Sequence, residues 1–143
     1  MPTHHSHLGI YALIVNEAGQ ILAIRKARGP YTGLFDLPGG SPEDGELLEQ
    51  TLTREVLEET GCTVTAHIQL GATSALYPRE ENGQPHLLRH IGILYRCQIN
   101  GAPTQTGDGQ DSHGTLWLTP TEQNLQNATP FLRHAAALIP PHN

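Results

Sequence analysis

Between Gly40 and Cys62 the chain runs Gly40, Glu46, then Arg54-Glu55-Val56-Leu57-Glu58-Glu59-Thr60-Gly61-Cys62, and this segment fixes both a helix and what the helix must present. Leu48, Leu52 and Val56 recur at every fourth residue, an apolar stripe that turns one helix face toward a core. Glu55, Glu58 and Glu59 stand at i, i+3 and i+4, so their carboxylates project from neighbouring points. Each pair of like charges that close costs an isolated helix roughly 0.2–0.5 kcal/mol. A bound cation removes that repulsion most directly, and carboxylate oxygens suit Mg²⁺ or Mn²⁺ better than zinc. Three acids alone also read as a solvated helix face, so the surrounding residues decide.

Those surroundings are specific. Spaced as Gly, five residues, Glu, seven residues, Arg-Glu, an aliphatic, any residue, Glu-Glu, any residue, Gly, the segment resembles the signature of the Nudix hydrolase family. Seven fixed identities at ordinary residue usage match by accident on the order of 10⁻⁹ per starting position. Cys62 replaces the aliphatic residue that usually ends the signature, and a buried thiol behaves as a small apolar side chain. Leu37-Pro38-Gly39-Gly40 is similar to the family's lead-in, and Ile21 to Ala27 to the strand before it in MutT-like members. The resemblance covers the first half of the chain and implies an α/β fold, a mixed β-sheet sandwiched between helices with a loop-helix-loop catalytic motif.

The remaining sequence is read as elements that fit one domain. Gly9–Val15 and Ile21–Ile24 read as strands joined by the turn residues Asn16 to Gly19. Residues 29–33 form a loop, and Leu34–Leu37 a short strand ending at Pro38-Gly39-Gly40, where glycine lets backbone approach a ligand. The signature helix is expected to start at Asp44 as N-cap and stop at Gly61. Thr63–Tyr77 and Leu87–Ile99 read as long strands, Thr115–Leu118 as a short one, and Thr129-Pro130 opens a last helix over Phe131–Ile139. At 143 residues and 37% hydrophobic, the chain suffices for one core. Residues 1–143 are therefore read as one domain, with 1–7 as a flexible tail whose His4, His5 and His7 pick up transition metals only adventitiously.

Charge and cysteine usage narrow the partners. A net charge of −6 argues against a nucleic-acid polymer, which requires clustered Lys and Arg. A small phosphorylated molecule remains compatible, because a metal ion supplies positive charge. Cys62 and Cys97 lie in apolar surroundings, as free thiols do in a reducing compartment. No apolar run reaches membrane-spanning length. The expected location is cytoplasmic, with no membrane partner, and a homodimer is compatible with the reading.

The resemblance implies hydrolysis of a nucleoside diphosphate linked to another group, by attack of water on phosphorus. Metal is expected on Glu55, Glu58, Glu59 and the Gly39 carbonyl, with Arg54 orienting the acids and Glu46 stabilising the loop near the helix N-terminus. Glu55 is the first choice for general base; Asp108, Asp111, Glu80 and Glu81 are alternatives. Arg25, Gly40 and Arg89 are candidate substrate contacts, with Arg79 as a further cation. Tyr31, Phe35, Tyr77 and Trp117 are candidates for stacking on a base, although aromatics at such positions are more often core. His86 and His90 share a strand face at i+4 but stand far apart, and a pocket role is open for either.

Three functions follow. The first is a Mg²⁺- or Mn²⁺-dependent pyrophosphohydrolase of nucleoside triphosphates in MutT-like fashion. The second is a hydrolase of ADP-ribose, a nucleotide sugar or a dinucleoside polyphosphate, toward which Pro78 and Tyr77 are competing pointers. The third is a nucleotide sensor without turnover, which the complete set of acids disfavours.

Overall fold

Ile10 to Leu13 are apolar and buried without interruption, which a strand achieves only with cover on both faces. The computed structural model describes residues 3–29, 31–104 and 112–140, and supplies that cover from two sides. Strand β1 (Thr3–Leu13) pairs antiparallel with the two-residue β4 (Gly39–Gly40) on one edge. On the other it pairs in parallel with β6 (Gln84–Asn100), from Thr3 opposite His86 to Leu13 opposite Arg96. β6 in turn forms a long hairpin with β5 (Thr63–Glu81), and the order is β4-β1-β6-β5. Asn82 and Gly83 close the hairpin with positive φ of 52° and 75°, the geometry of a two-residue turn matched to strand twist. A second sheet has the order β3-β2-β7, from Phe35–Asp36, Ile21–Lys26 and Ser112–Leu118.

Alternation along β1 sorts its side chains into two cores. Ile10, Ala12 and Ile14 pack with Leu52 and Val56 of helix α1 (Leu48–Thr60). Tyr11 and Leu13 pack with Phe131, Leu132 and Ala135 of helix α3 (Pro130–Ala137), which follows the short α2 (Glu122–Gln126). The mixed sheet thus lies between helices, as expected. Gly92 on β6 leaves room for Phe131, since a Cβ there would sit 2.6 Å from its ring. Both cysteines are free and buried. Among the described residues, no helix is long and apolar enough to cross a membrane.

The elements differ from the sequence reading in several places, and β5, β6 and β7 also run beyond the expected Thr63–Tyr77, Leu87–Ile99 and Thr115–Leu118. Residues 3–7, expected as a tail, begin β1, because the backbone of β6 extends far enough to pair with them. Helix α1 is capped at Leu47 rather than Asp44. The Leu47 amide donates to Oε1 of Gln50 at 2.7 Å, while Glu46 is engaged by Arg54, so residues 41–46 stay a loop. The strands expected as a simple hairpin, β1 and β2, lie in different sheets, joined by one bridge between Val15 and Ile21. Helix α3 does start at Thr129-Pro130, with Thr129 Oγ1 accepting from the Leu132 amide, but ends at Ala137, short of Ile139.

Candidate active site

β4 sits between β1 and α1 because its two residues lack side chains. A Cβ on Gly39 would strike the Ile10 carbonyl and Tyr11, and one on Gly40 would meet Oε1 of Glu55 at 2.5 Å. Glycine therefore brings the turn's backbone against the helix face that carries the acids. The Gly39 amide donates to Oε1 of Glu59 at 2.8 Å, joining turn and helix directly.

Arg54 organises the other acids. Its Nε and Nη2 donate to the two oxygens of Glu46 at 2.7 and 3.0 Å, a bidentate pair, and Nη2 also donates to the Ser41 carbonyl at 3.1 Å. Nη1 reaches Glu55 at 2.9 Å and Glu58 at 3.3 Å. A planar guanidinium with five donors can span such a set, and an ammonium cannot. Glu46 also accepts from the Glu43 amide and the Thr51 hydroxyl, both at 2.9 Å. Hydrogen bonding from Arg54 first, then from the Glu43 amide, holds the Glu46 carboxyl down at about 2.

Glu59 is the exception among these acids. It is 1% exposed, and its Oε2 is buried without a hydrogen-bond partner. Burial raises its pKa well above the ordinary carboxylate range, and the Gly39 amide opposes this only partly. Unpartnered buried carboxylate oxygens are rare because desolvation is uncompensated. Among the described residues, no three His, Cys, Asp or Glu side chains converge as a ready metal-holding group. Arg54 holds Glu55, while Glu58 is half exposed. The donor chemistry nonetheless fits a hard divalent ion: oxygen only, with one carboxylate oxygen buried and unmatched.

A cavity of about 520 Å³ opens over the turn and Glu55, whereas Glu58 and Glu59 are not among its lining residues. Gly39, Gly40, Arg54 and Glu55 line it; so do the cations Lys26, Arg28 and Arg79. Arg25 and Arg89 do not. Arg25 lies over the Phe35 ring at 4.6 Å, one residue out of phase with Lys26 on β2, and Arg89 binds the Ser6 hydroxyl at 2.9 Å on the exposed side. Glu81 pairs with Arg79 at 2.8 Å at the hairpin end. Neither Glu80 nor Glu81 lines the cavity, and Asp108 and Asp111 lie outside the described residues. A different cavity of about 650 Å³, beside Trp117 and Ile68, contains no carboxylate among its lining residues.

Sequence reading left a pocket role open for His90 but missed the three residues of β1 beside it. His5, His7, Tyr11 and His90 line the cavity, and His7 stands opposite His90 on adjacent strands, their rings 5.0 Å apart. Residues 5, 7, 9 and 11 share one face of β1 by alternation, a signal visible had the strand been extended to Thr3. Burial, then His7 and Lys26, lowers His90 to about 4, so it is neutral at pH 7.

Asp36 was also missed. It is 2% exposed, and its Oδ1 accepts from the Leu37 amide at 2.8 Å and the Thr129 hydroxyl at 2.7 Å. Burial raises its pKa from 3.8 to about 6 against those bonds. An acid raised this way opposes folding. Below about pH 4 it is protonated in both states; as pH climbs to about 6 the unfolded chain releases its proton first and stability falls, then levels off. Asp36→Asn keeps the Oδ1 acceptor and is expected to gain about 1–3 kcal/mol at pH 7 and nothing at pH 3.5. Urea unfolding at the two pH values measures this, and equal stability at pH 7 would mean that Asp36 ionises freely.

Comparison with known proteins accords with this arrangement. The NUDIX domain profile matches residues 5–139. A MutT-like protein of Streptomyces ambofaciens is 32% identical over 121 residues, 85% of this chain and 68% of its own length. An ADP-ribose pyrophosphatase of Methanocaldococcus jannaschii is 32% identical over 95 residues, 66% of this chain and 53% of its own length. The chain thus spans about two thirds and about half of these two relatives. The crystal structure of a MutT NUDIX hydrolase from Burkholderia pseudomallei has the same fold, with a TM-score of 0.69 over 95% of this chain and 99% of that one at 23% identity.

Proposed function

This chain belongs to the NUDIX hydrolase family, whose members act on phosphorus-containing anhydrides, and from that premise we propose that it is a Mg²⁺- or Mn²⁺-dependent pyrophosphohydrolase of nucleoside triphosphates. The observation that carries the reading is the cavity itself. Glu55, Arg54 and the Gly39-Gly40 turn stand on one side of it, and Lys26, Arg28 and Arg79 line it as well. Its volume lies within the range of small-molecule sites. A polyphosphate needs both kinds of group: cations for its oxygens, and carboxylates that hold a divalent ion against them.

Glu55, Glu58, Glu59 and the Gly39 carbonyl would hold the ion. When bound, the ion neutralises phosphate oxygens and lowers the pKa of water. Arg54 positions Glu55 and Glu58 through Nη1, and fixes the loop through Glu46 and the Ser41 carbonyl. Glu55 is assigned as general base. It takes the proton of the attacking water as the new P–O bond forms and the anhydride P–O bond breaks, leaving a nucleoside monophosphate and pyrophosphate. Lys26, Arg28 and Arg79 bind non-reacting phosphate oxygens, and the Gly40 backbone approaches the substrate closely. A second reading, hydrolysis of ADP-ribose or a related nucleotide sugar, draws on the name of the Methanocaldococcus relative.

The test is product release from nucleoside triphosphates, ADP-ribose, nucleotide sugars and dinucleoside polyphosphates, with Mg²⁺ and then Mn²⁺. Metal-dependent formation of pyrophosphate and nucleoside monophosphate from at least one triphosphate is expected. Turnover confined to ADP-ribose would favour the second reading. Cleavage of nothing in the panel by folded protein would overturn both.

A further inference from the structure

Besides Nε of Arg79, two polar atoms on residues lining the cavity have no hydrogen-bond partner within the protein: the Tyr31 hydroxyl and Nδ1 of His90. Both residues are 6% exposed and both line the cavity. Their rings lie stacked, 16° apart in plane with centroids at 5.7 Å. Neither ring is loose. Phe131 sets its face edge-on to His90 at 4.5 Å, and Tyr77 meets Tyr31 at 5.8 Å.

One ring nitrogen of His90 is already engaged. The Tyr11 hydroxyl meets Nε2 of His90 at 2.9 Å. The tautomer of His90 sets which of the two donates, since a phenol can do either. In either tautomer Nδ1 remains a hydrogen-bonding atom, as an N–H or as a bare nitrogen, with no partner in the protein. Burial and then Asp36 raise the Tyr31 pKa, so this phenol is neutral. Two rigidly held polar atoms, a phenol O–H and an imidazole nitrogen, are thus left without a partner.

We propose that Tyr31 and His90 read the heterocycle of the substrate, through hydrogen bonds of the Tyr31 hydroxyl and Nδ1 of His90 to polar atoms on its edge. The proposal rests on the chain acting on nucleotides and adds which atoms select among them. The positions are consistent with one ligand spanning the cavity. Tyr11, which bonds His90, is the β1 partner of Gly39, so the ring-reading wall is one strand away from the turn at the phosphate end. Buried Leu88 supplies an apolar surface beside these atoms, as nucleobase sites require. A site built to hydrogen-bond its ligand discriminates strongly against analogues without the matching group, because the buried polar atoms then stay unpaired.

The experiment separates ring recognition from hydrolysis. Affinities of the four common ribonucleoside triphosphates and of inorganic tripolyphosphate are measured by titration calorimetry, with Ca²⁺ in place of Mg²⁺ to prevent turnover. The wild-type protein is expected to bind at least one nucleotide about tenfold tighter than tripolyphosphate. Tyr31→Phe should lose about tenfold in affinity for that nucleotide and leave tripolyphosphate binding unchanged. Because the hydroxyl is unsatisfied in the free protein, Tyr31→Phe should also unfold at the same or a higher temperature. His90→Gln serves as the second variant, with the same selective loss expected. The proposal is overturned if no nucleotide outcompetes tripolyphosphate, if both variants stay within twofold of wild type, or if both ligands weaken equally. If the selective loss appears in a protein without Mg²⁺-dependent hydrolysis, ring recognition stands and the hydrolytic reading falls.

Discussion

Glu59→Gln is expected to lower kcat for metal-dependent hydrolysis by about 10³-fold or more, equivalent to about 4 kcal/mol of lost transition-state stabilisation, without unfolding the protein. Gln preserves shape and the Oε1 acceptor for the Gly39 amide, so the turn remains joined to α1. What disappears is the capacity to ionise against a cation, at an oxygen that has no other partner. Two measurements separate this from a folding defect. Mg²⁺ should raise the unfolding temperature of the wild type, since a ligand bound only by the native state stabilises it. It should leave that of the variant unmoved. Glu58→Gln is expected to abolish turnover in the same way with the fold intact. A Glu59→Gln enzyme within tenfold of wild type would remove Glu59 from the metal assignment.

Arg54→Lys is expected to cost at least about 100-fold in kcat and to destabilise the protein, although the charge is kept. Residual activity depends on geometry here, and misplacement by about 1 Å can cost about 10²-fold. Lysine offers one point of charge where Arg54 bridges Glu46, the Ser41 carbonyl, Glu55 and Glu58. The sharpest readout is Glu46. Its carboxyl, held down at about 2 by Arg54, should titrate closer to the ordinary value near 4.3, visible by carboxyl-carbon NMR. Because a lowered acid stabilises the native state above its unfolded pKa and loses that contribution as pH falls toward 2, the variant's stability should depend less on pH in that window. An unchanged Glu46 titration would show that other donors, not Arg54, hold it.

The parts of this site legible in sequence are those whose determinants lie within one or two helical turns. Glu55, Glu58 and Glu59 share a helix face by periodicity, and Thr129-Pro130 marks a helix start by local capping chemistry. Long-range determinants were silent. His4 to His7 have the composition of a tail, and become strand only because β6 runs alongside them. On β2 the four residues before Arg25 are all buried, so alternation carries no phase information, and which of Arg25 and Lys26 faces the cavity depends on the sheet across from it. Asp36 reads as an ordinary turn-flanking acid until Thr129, 93 residues away, supplies its hydrogen bond. The stack of Tyr31 on His90 joins a loop to a distant strand and leaves no local trace.

The glycine pair of β4 is a rung of the sheet as well as the floor of the site. If β1 slipped by a single residue against its neighbours, Gly39 would lose its place opposite Tyr11 and its amide would no longer point at Glu59. A chain caught in such a misthreaded state would keep nearly all its strands and helices, yet be chemically mute. Far-ultraviolet spectra would pass it as native, so specific activity is the more sensitive gauge of correct threading in this protein.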